Sequence, residues 1–321
     1  MMTCLLGLST ACGARVTATP PITRIDTIPA AAIKMIPEED AWPPIPTSGW
    51  SQPVPLGGPI NTAGAEDSPF ITPDGNILYF FFTPDVNVPV EAQVGDAITG
   101  IWQTTRKGEQ WLEPQRVILA DPDEPHLDGC PFVKENWIAF CSARASNQRE
   151  IDIYTAELQN GIWTNVQNWG KLFNPEYRVG ELHIATDGDL YFGSDRPGGV
   201  GGFDLWVSHW SGKTWETPVN LGAVINTTND ENRPFITADG QDLWFDGVSQ
   251  KDFPGPAIFR SQRQPDGSWG PAEEIISSFA GEPTLTGNGN TLYFVHHYFS
   301  ADLSQMIEAD IYVSHRLDKE E

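Results

Sequence analysis

The chain has 321 residues, 40% apolar and 11% aromatic, which is ample material for a sizeable core in one or two domains. Its net charge of −24 excludes nucleic acid as a partner, because phosphates would be repelled, and equally an anionic membrane surface. No apolar run reaches the roughly 20 residues that a membrane-spanning helix needs.

The first residues, ending Leu8-Ser9-Thr10-Ala11-Cys12, resemble the tail of a bacterial signal peptide with a lipobox. The resemblance implies removal of residues 1–12 up to a lipidated Cys12. It also implies a location in the cell envelope, periplasmic or extracellular, with membrane contact through the lipid alone. Residues 13–47 are rich in Pro, Ala, Thr and Ile, a composition that predicts an extended tether.

From residue 48 the chain repeats. Trp50, Trp111, Trp163, Trp215 and Trp269, separated by 61, 52, 52 and 54 residues, each mark a unit built from short strands and turns. Such a period is the signature of a propeller blade. The innermost strands align as Pro69-Phe70-Ile71, Pro131-Phe132-Val133, Leu182-His183-Ile184, Pro234-Phe235-Ile236 and Pro283-Thr284-Leu285. Tight turns at Asp74-Gly75, Asp187-Gly188, Asp239-Gly240 and Asn288-Gly289 follow, supplying the positive φ that hairpins need. Second strands such as Ile77-Leu-Tyr-Phe80 and Leu292-Tyr-Phe294 are apolar on both faces, as stacked sheets require.

The fifth unit lacks an outer strand after Ile311-Tyr-Val-Ser314, while Trp50-Ser-Gln-Pro-Val-Pro-Leu-Gly57 matches Trp215-Glu-Thr-Pro-Val-Asn-Leu-Gly222. The strand near Trp50 is therefore expected to complete the last blade and remove exposed sheet edges. The reading is all-β: a five-bladed β-propeller of four-stranded blades over 48–316, with an acidic tail at 317–321. Cys130 and Cys141 flank a hairpin that turns near Glu135 and Asn136, so they lie nearly opposite. A disulfide suits an oxidising compartment, but cross-strand bridges are strained, and two buried thiols are the expected state.

Ser194-Asp-Arg-Pro-Gly-Gly-Val-Gly-Gly-Phe-Asp-Leu-Trp-Val-Ser208 resembles the WD-like propeller repeats of the TolB type. The resemblance spans about residues 50–316 and implies a bacterial envelope protein that serves as an interaction platform.

Each innermost strand begins with acids: Glu66 and Asp67, Asp128, Glu181, Glu231 and Glu282. Because strand positions two apart share a face, these carboxylates are expected to converge on one mouth of the axial channel. Like charges held together raise one another's pKa or take up a counter-cation such as calcium. Two chemistries compete for them. Five-bladed glycosidases of the arabinanase and invertase type carry Asp, Asp and Glu on successive inner strands, which Asp67, Asp128 and Glu181 match in order, as base or nucleophile, modulator and general acid. Alternatively, the acid belongs to the repeat and caps local backbone N–H groups. Acids in units four and five favour the second view.

His126, Asp128, Glu181 and His183 form a weaker candidate for a transition-metal site. His183 stands where Phe70, Phe132 and Phe235 stand, and a core-facing ring is the expectation. His296-His297-Tyr298 reads as a polar loop patch. There is no phosphate-binding glycine loop, nucleophile elbow or Cys-X-X-Cys pair. The expected function is a non-catalytic envelope lipoprotein that binds a protein or glycan on its axial face, with glycoside hydrolysis as the alternative.

Overall fold

The computed structural model describes residues 23–121, 124–147, 150–170, 177–251 and 253–317; Cys12 and the 318–321 tail lie outside them. The described chain is all-β apart from the short helices Arg24–Thr27 and Val90–Gln93 and a 3₁₀ turn at Pro37–Glu39.

Five antiparallel units follow one another. Unit one runs through Ala65–Ile71, Ile77–Thr83 and Gly100–Lys107, edged by Gln110–Trp111 and Gln115–Arg116. Unit two is His126–Lys134, Trp137–Arg144, Asp152–Gln159 and Ile162–Asn168. Unit three is Val179–Ile184, Leu190–Ser194, Asp204–Ser208 and Val219–Asn220. Unit four comprises Glu231–Ile236, Asp242–Val248, Pro256–Gln262 and Glu273–Ser277. Unit five is Ala280–Leu285, Thr291–Phe299 and Met306–His315, and its outer partner is Val54–Pro55 from the start of the repeat. Val54 sits opposite Val313 and Pro55 opposite Tyr312, while Trp50 bridges to Arg316. Units five and one share a sheet through one parallel bridge, Ala65 to Ala309.

The innermost strands touch in succession. Phe70 meets Phe132 with ring centres 5.3 Å apart, Phe132 meets His183 at 4.9 Å, and His183 meets Phe235 at 4.6 Å. Phe235 shares a buried cluster with Leu285 and Leu292 of unit five. Unit five returns to unit one, where Ile71 N donates to Thr284 Oγ1 at 3.2 Å. His183 is thus the core-facing ring that its alignment with phenylalanines predicts, buried in an aromatic stack.

Two expectations are corrected. Residues 23–47 are not an extended tether; they form a strap laid against the sheets. Lys34 Nζ reaches Glu308 at 3.0 Å and Asp310 at 2.6 Å, Asp40 holds His296 at 2.8 Å, and Ile45–Pro46 adds a fifth strand to unit four. The charges and the Pro-spaced apolar residues that read as linker composition are here complementary to groups on units four and five. Cys130 and Cys141 are not free thiols but a disulfide, with Cα atoms 5.3 Å apart. A bulge sets Gly129 opposite Cys141 and leaves Cys130 as the extra residue, which provides the geometry that a regular ladder would not.

Candidate functional site

Every innermost strand carries the same irregularity. The register shifts between Asp67 and Phe70, Gly129 and Phe132, Val179 and Leu182, Asn232 and Phe235, and Gly281 and Thr284. In four units the extra residue directly precedes a proline and takes a left-handed backbone: Ser68 at φ 46, Cys130 at φ 50, Arg233 at φ 54 and Glu282 at φ 58. That conformation is unfavourable for a residue with a side chain, and a bulge commonly re-aims the residue it carries. Here the bulges bring residues of four units within reach of one another.

Four of these bulge residues meet. Arg233 Nε lies 2.6 Å from Glu282 and 3.3 Å from Glu181, and its Nη1 lies 2.8 Å from Asp246 on the neighbouring strand. Ser68 Oγ donates to Glu181 at 3.4 Å. Asp67 joins through a carboxyl hydrogen bond with Glu282 and through His297 Nε2 at 3.7 Å. The fifth bulge residue, Cys130, is tied to Cys141 beside them.

The electrostatics are those of an over-filled acid cluster. Burial pushes Glu282 well up, outweighing Arg233, and the neighbouring Asp67 and Glu181 charges push the same way. Burial likewise raises Glu181 to about 7, against the pull of Arg233. Asp67 goes the other way: burial is overcome by His297, the Glu282 hydrogen bond and Arg233, leaving it below the usual carboxylate range. The two carboxyls are thus pushed in opposite directions, Glu282 up and Asp67 down. Arg233 remains 35% exposed, so the mouth is open to solvent. Beside it a cavity of about 500 Å³ is lined by Glu150, Arg178, Glu181, Phe203 and Asn232. Beneath it, among the prolines and inner rings, only about 30 Å³ remains.

Glu66, Asp128 and Glu231 were expected at this mouth and are not brought there. The bulge inserts a residue between them and the axial position, so the period-two parity that placed both on one face breaks. Glu66 accepts from Thr62 N and Oγ1 at 2.9 and 2.7 Å, and Glu231 from Thr227 N and Oγ1 at 2.8 and 2.5 Å. Asp128 is fully buried against Ser142 at 2.6 Å and Arg144 at 3.1 Å. Of the three hydrolase candidates, Asp67 and Glu181 share the mouth and Asp128 does not.

The metal candidate does not assemble. His126 stands 3.6 Å from Asp128, but His183 is enclosed by Phe132 and Phe235, and burial and the nearby Lys134 charge push its pKa down to about 3. Among the described residues no three His, Cys, Asp or Glu side chains come together as a ligand set. The positive charge that meets Glu181, Asp246 and Glu282 is the guanidinium of Arg233, a residue not among the expected ones, rather than the calcium that was considered.

Arg233, Asp246 and His297 were missed. Arg233 occupies the slot before Pro234 that Glu282 occupies before Pro283. Asp246 is an acid that follows the apolar run Leu243-Trp244-Phe245 inside a second strand. His297 read as part of a surface loop, but Thr291–Phe299 is one long strand, which buries His296 fully and delivers His297 to the mouth.

No family model and no curated protein matches the sequence. Solved structures do resemble it. A thermostable family-43 glycoside hydrolase superposes with a TM-score of 0.52 at 15% identity, covering 82% of this chain and 93% of that one. TolB from Acinetobacter baumannii gives 0.41 at 13%, over 82% of this chain and 57% of that one. A protein of unknown function from Dyadobacter fermentans gives 0.48 at 14%, over 84% and 100%. The likeness to the hydrolase is one of fold: the chain is β-propeller-like.

Proposed function

We propose that the chain is a closed five-bladed β-propeller of the cell envelope, without catalytic activity, that takes a protein or glycan partner on its axial face. The observation that carries this is how the axial carboxyls are used. Glu181, Asp246 and Glu282 are held on Arg233, and Asp67 on Glu282 and His297, so the charges a hydrolase would aim at its substrate are turned on one another. The third carboxylate of the hydrolase set, Asp128, is sealed in its own hydrogen bonds. Ring closure is supported by the Val54 strand on unit five and by the Ile71–Thr284 bond across the seam.

Anchoring at Cys12 rests on the Leu8–Cys12 pattern, and the Cys130–Cys141 bridge suits the oxidising compartment which that anchor implies. The 500 Å³ cavity, with donors on Arg178 and acceptors on Glu150 and Glu181, offers a partner both apolar and polar contact.

One observation favours the hydrolase instead: Asp67 lies low while Glu181 rises to about 7, the split that separates a base from an acid. Binding is the test of the preferred reading. The immobilised protein is offered envelope glycan fragments and, separately, solubilised envelope proteins. Retention that Glu181→Arg removes and Trp210→Ala, on an outer turn, leaves intact supports the axial face. Equal retention by the Glu181 variant refutes it.

A further inference from the structure

In every unit the second and third strands oppose two rings across the ladder: Phe80 and Trp102, Phe140 and Tyr154, Phe192 and Trp206, Phe245 and Phe259, and Phe294 and Tyr312. In three units a guanidinium covers the pair. Arg24 lies 5.1 and 5.5 Å from Phe80 and Trp102, Arg144 lies 5.6 and 4.5 Å from Phe140 and Tyr154, and Arg196 lies 4.7 and 5.4 Å from Phe192 and Trp206. Two of them also bind an acid and a loop carbonyl in the same way. Arg24 bonds Glu66 at 3.0 Å and Ile60 O at 3.1 Å, and Arg144 bonds Asp128 and Leu119 O, each at 3.1 Å.

The source of the covering group follows one sequence position, four residues after the second-strand ring. That position holds Arg144 in unit two and Arg196 in unit three. In unit five it holds Tyr298, whose hydroxyl lies 2.6 Å from that of Tyr312. In unit one it is Pro84, and Arg24 arrives instead from the strap, outside the repeat. In unit four it is Ser249. There the acid and the rings are all in place: Glu231 is held by Thr227 as Glu66 is by Thr62, and Phe245 stacks on Phe259 with ring centres 5.5 Å apart. Gly247 stands where unit one has Phe82, which widens the space further. A cavity of about 200 Å³ results, lined by Thr227, Glu231, Phe245, Ser249 and Phe259. Burial raises the pKa of Glu231, and among the described residues no ion pair reaches it.

We propose that this cavity, at the seam of units three and four, receives the arginine side chain of a partner protein. The strap demonstrates the mode of entry, since a segment from outside the repeat, helical at Arg24–Thr27, already delivers Arg24 into the equivalent space of unit one. A flat guanidinium can stack on the ring pair while its N–H groups meet the carboxylate; a lysine ammonium supplies neither the plane nor the fork. The net charge of −24 draws a basic segment towards the surface.

The test titrates the full-length protein with N-acetyl-L-arginine amide, using N-acetyl-L-citrulline amide as the uncharged isostere and following the Phe245 and Phe259 ring resonances. The expected result is saturable arginine binding at least tenfold tighter than citrulline, weakened at least tenfold by Glu231→Gln. Ser249→Arg should place in unit four what units two and three already have. It is expected to raise the melting temperature and abolish binding of the added arginine. Equal affinity for the two amides, or arginine binding that survives Ser249→Arg, overturns the proposal.

Discussion

Arg24 Nη1 lies 3.0 Å from Glu66 Oε1, and the two side chains are 1% and 0% exposed. The pair joins the N-terminal strap to the first strand of unit one, and three aromatic rings surround the guanidinium. Removing one member of a buried ion pair strands the other charge, typically at about 3–5 kcal/mol. Arg24→Ala is therefore expected to lower unfolding free energy by about that amount, read by chemical denaturation. Arg24→Ala with Glu66→Gln should recover part of the loss, because no carboxylate is left unpaired.

His183 gives an acid-sensitive core. Its folded pKa, about 3, lies below the ordinary 6.5. The unfolded chain therefore binds the extra proton first, and this site's contribution to stability is lost as pH falls from 6.5 towards 3. His183→Phe installs the ring found in three other units and removes that dependence. Relative to wild type, the variant should gain up to about 1.4 kcal/mol for each pH unit below 6.5. Parallel denaturation curves at pH 7 and pH 4.5 measure the difference.

Arg233→Ala leaves Glu181, Asp246 and Glu282, whose carboxyls already lie above the ordinary range, without their guanidinium. Their folded pKa values then rise further above the unfolded ones, so stability is retained below about pH 4 and lost as pH rises through the folded values. The variant is expected to melt close to wild type at pH 4.5 and well below it at pH 8. A deficit that does not change with pH would mean that the guanidinium acts by packing alone.

Ser51 N donates to His315 O at 2.8 Å and Leu56 N to Ile311 O at 2.9 Å, on either side of the Val54 pairing. Deleting residues 48–57 should open the edge of unit five and replace one cooperative calorimetric transition by a broad one. An unchanged transition would show that the strand does not hold the ring together.

The strand order, the hairpin turns and the partner of unit five were legible in the sequence, because alternation, Asp-Gly pairs and the Trp50–Trp215 match each have a local cause. The axial site was half legible. Asp67, Glu181 and Glu282 were found, but period-two reasoning assumes an unbroken pleat, and a bulge in each inner strand moved Glu66, Asp128 and Glu231 away from them. The bulges left a trace that went unread: the residue before each inner-strand proline is Ser68, Cys130, Arg233 or Glu282. The strap was illegible for another reason. Its composition is that of a linker, and its order comes from Arg24, Lys34 and Asp40 meeting acids and a histidine more than 40 residues away.

The most direct test of a non-catalytic axial face is hydrolysis itself. Wild-type protein and Glu181→Gln are incubated with a panel of pentose and fructose glycosides, and released reducing sugar is measured near pH 6, where Glu181 is largely protonated and Asp67 is ionised. The predicted result is no turnover that distinguishes the two proteins. Turnover by wild type that disappears in Glu181→Gln would contradict the account and make Asp67 and Glu181 the base and acid of a hydrolase.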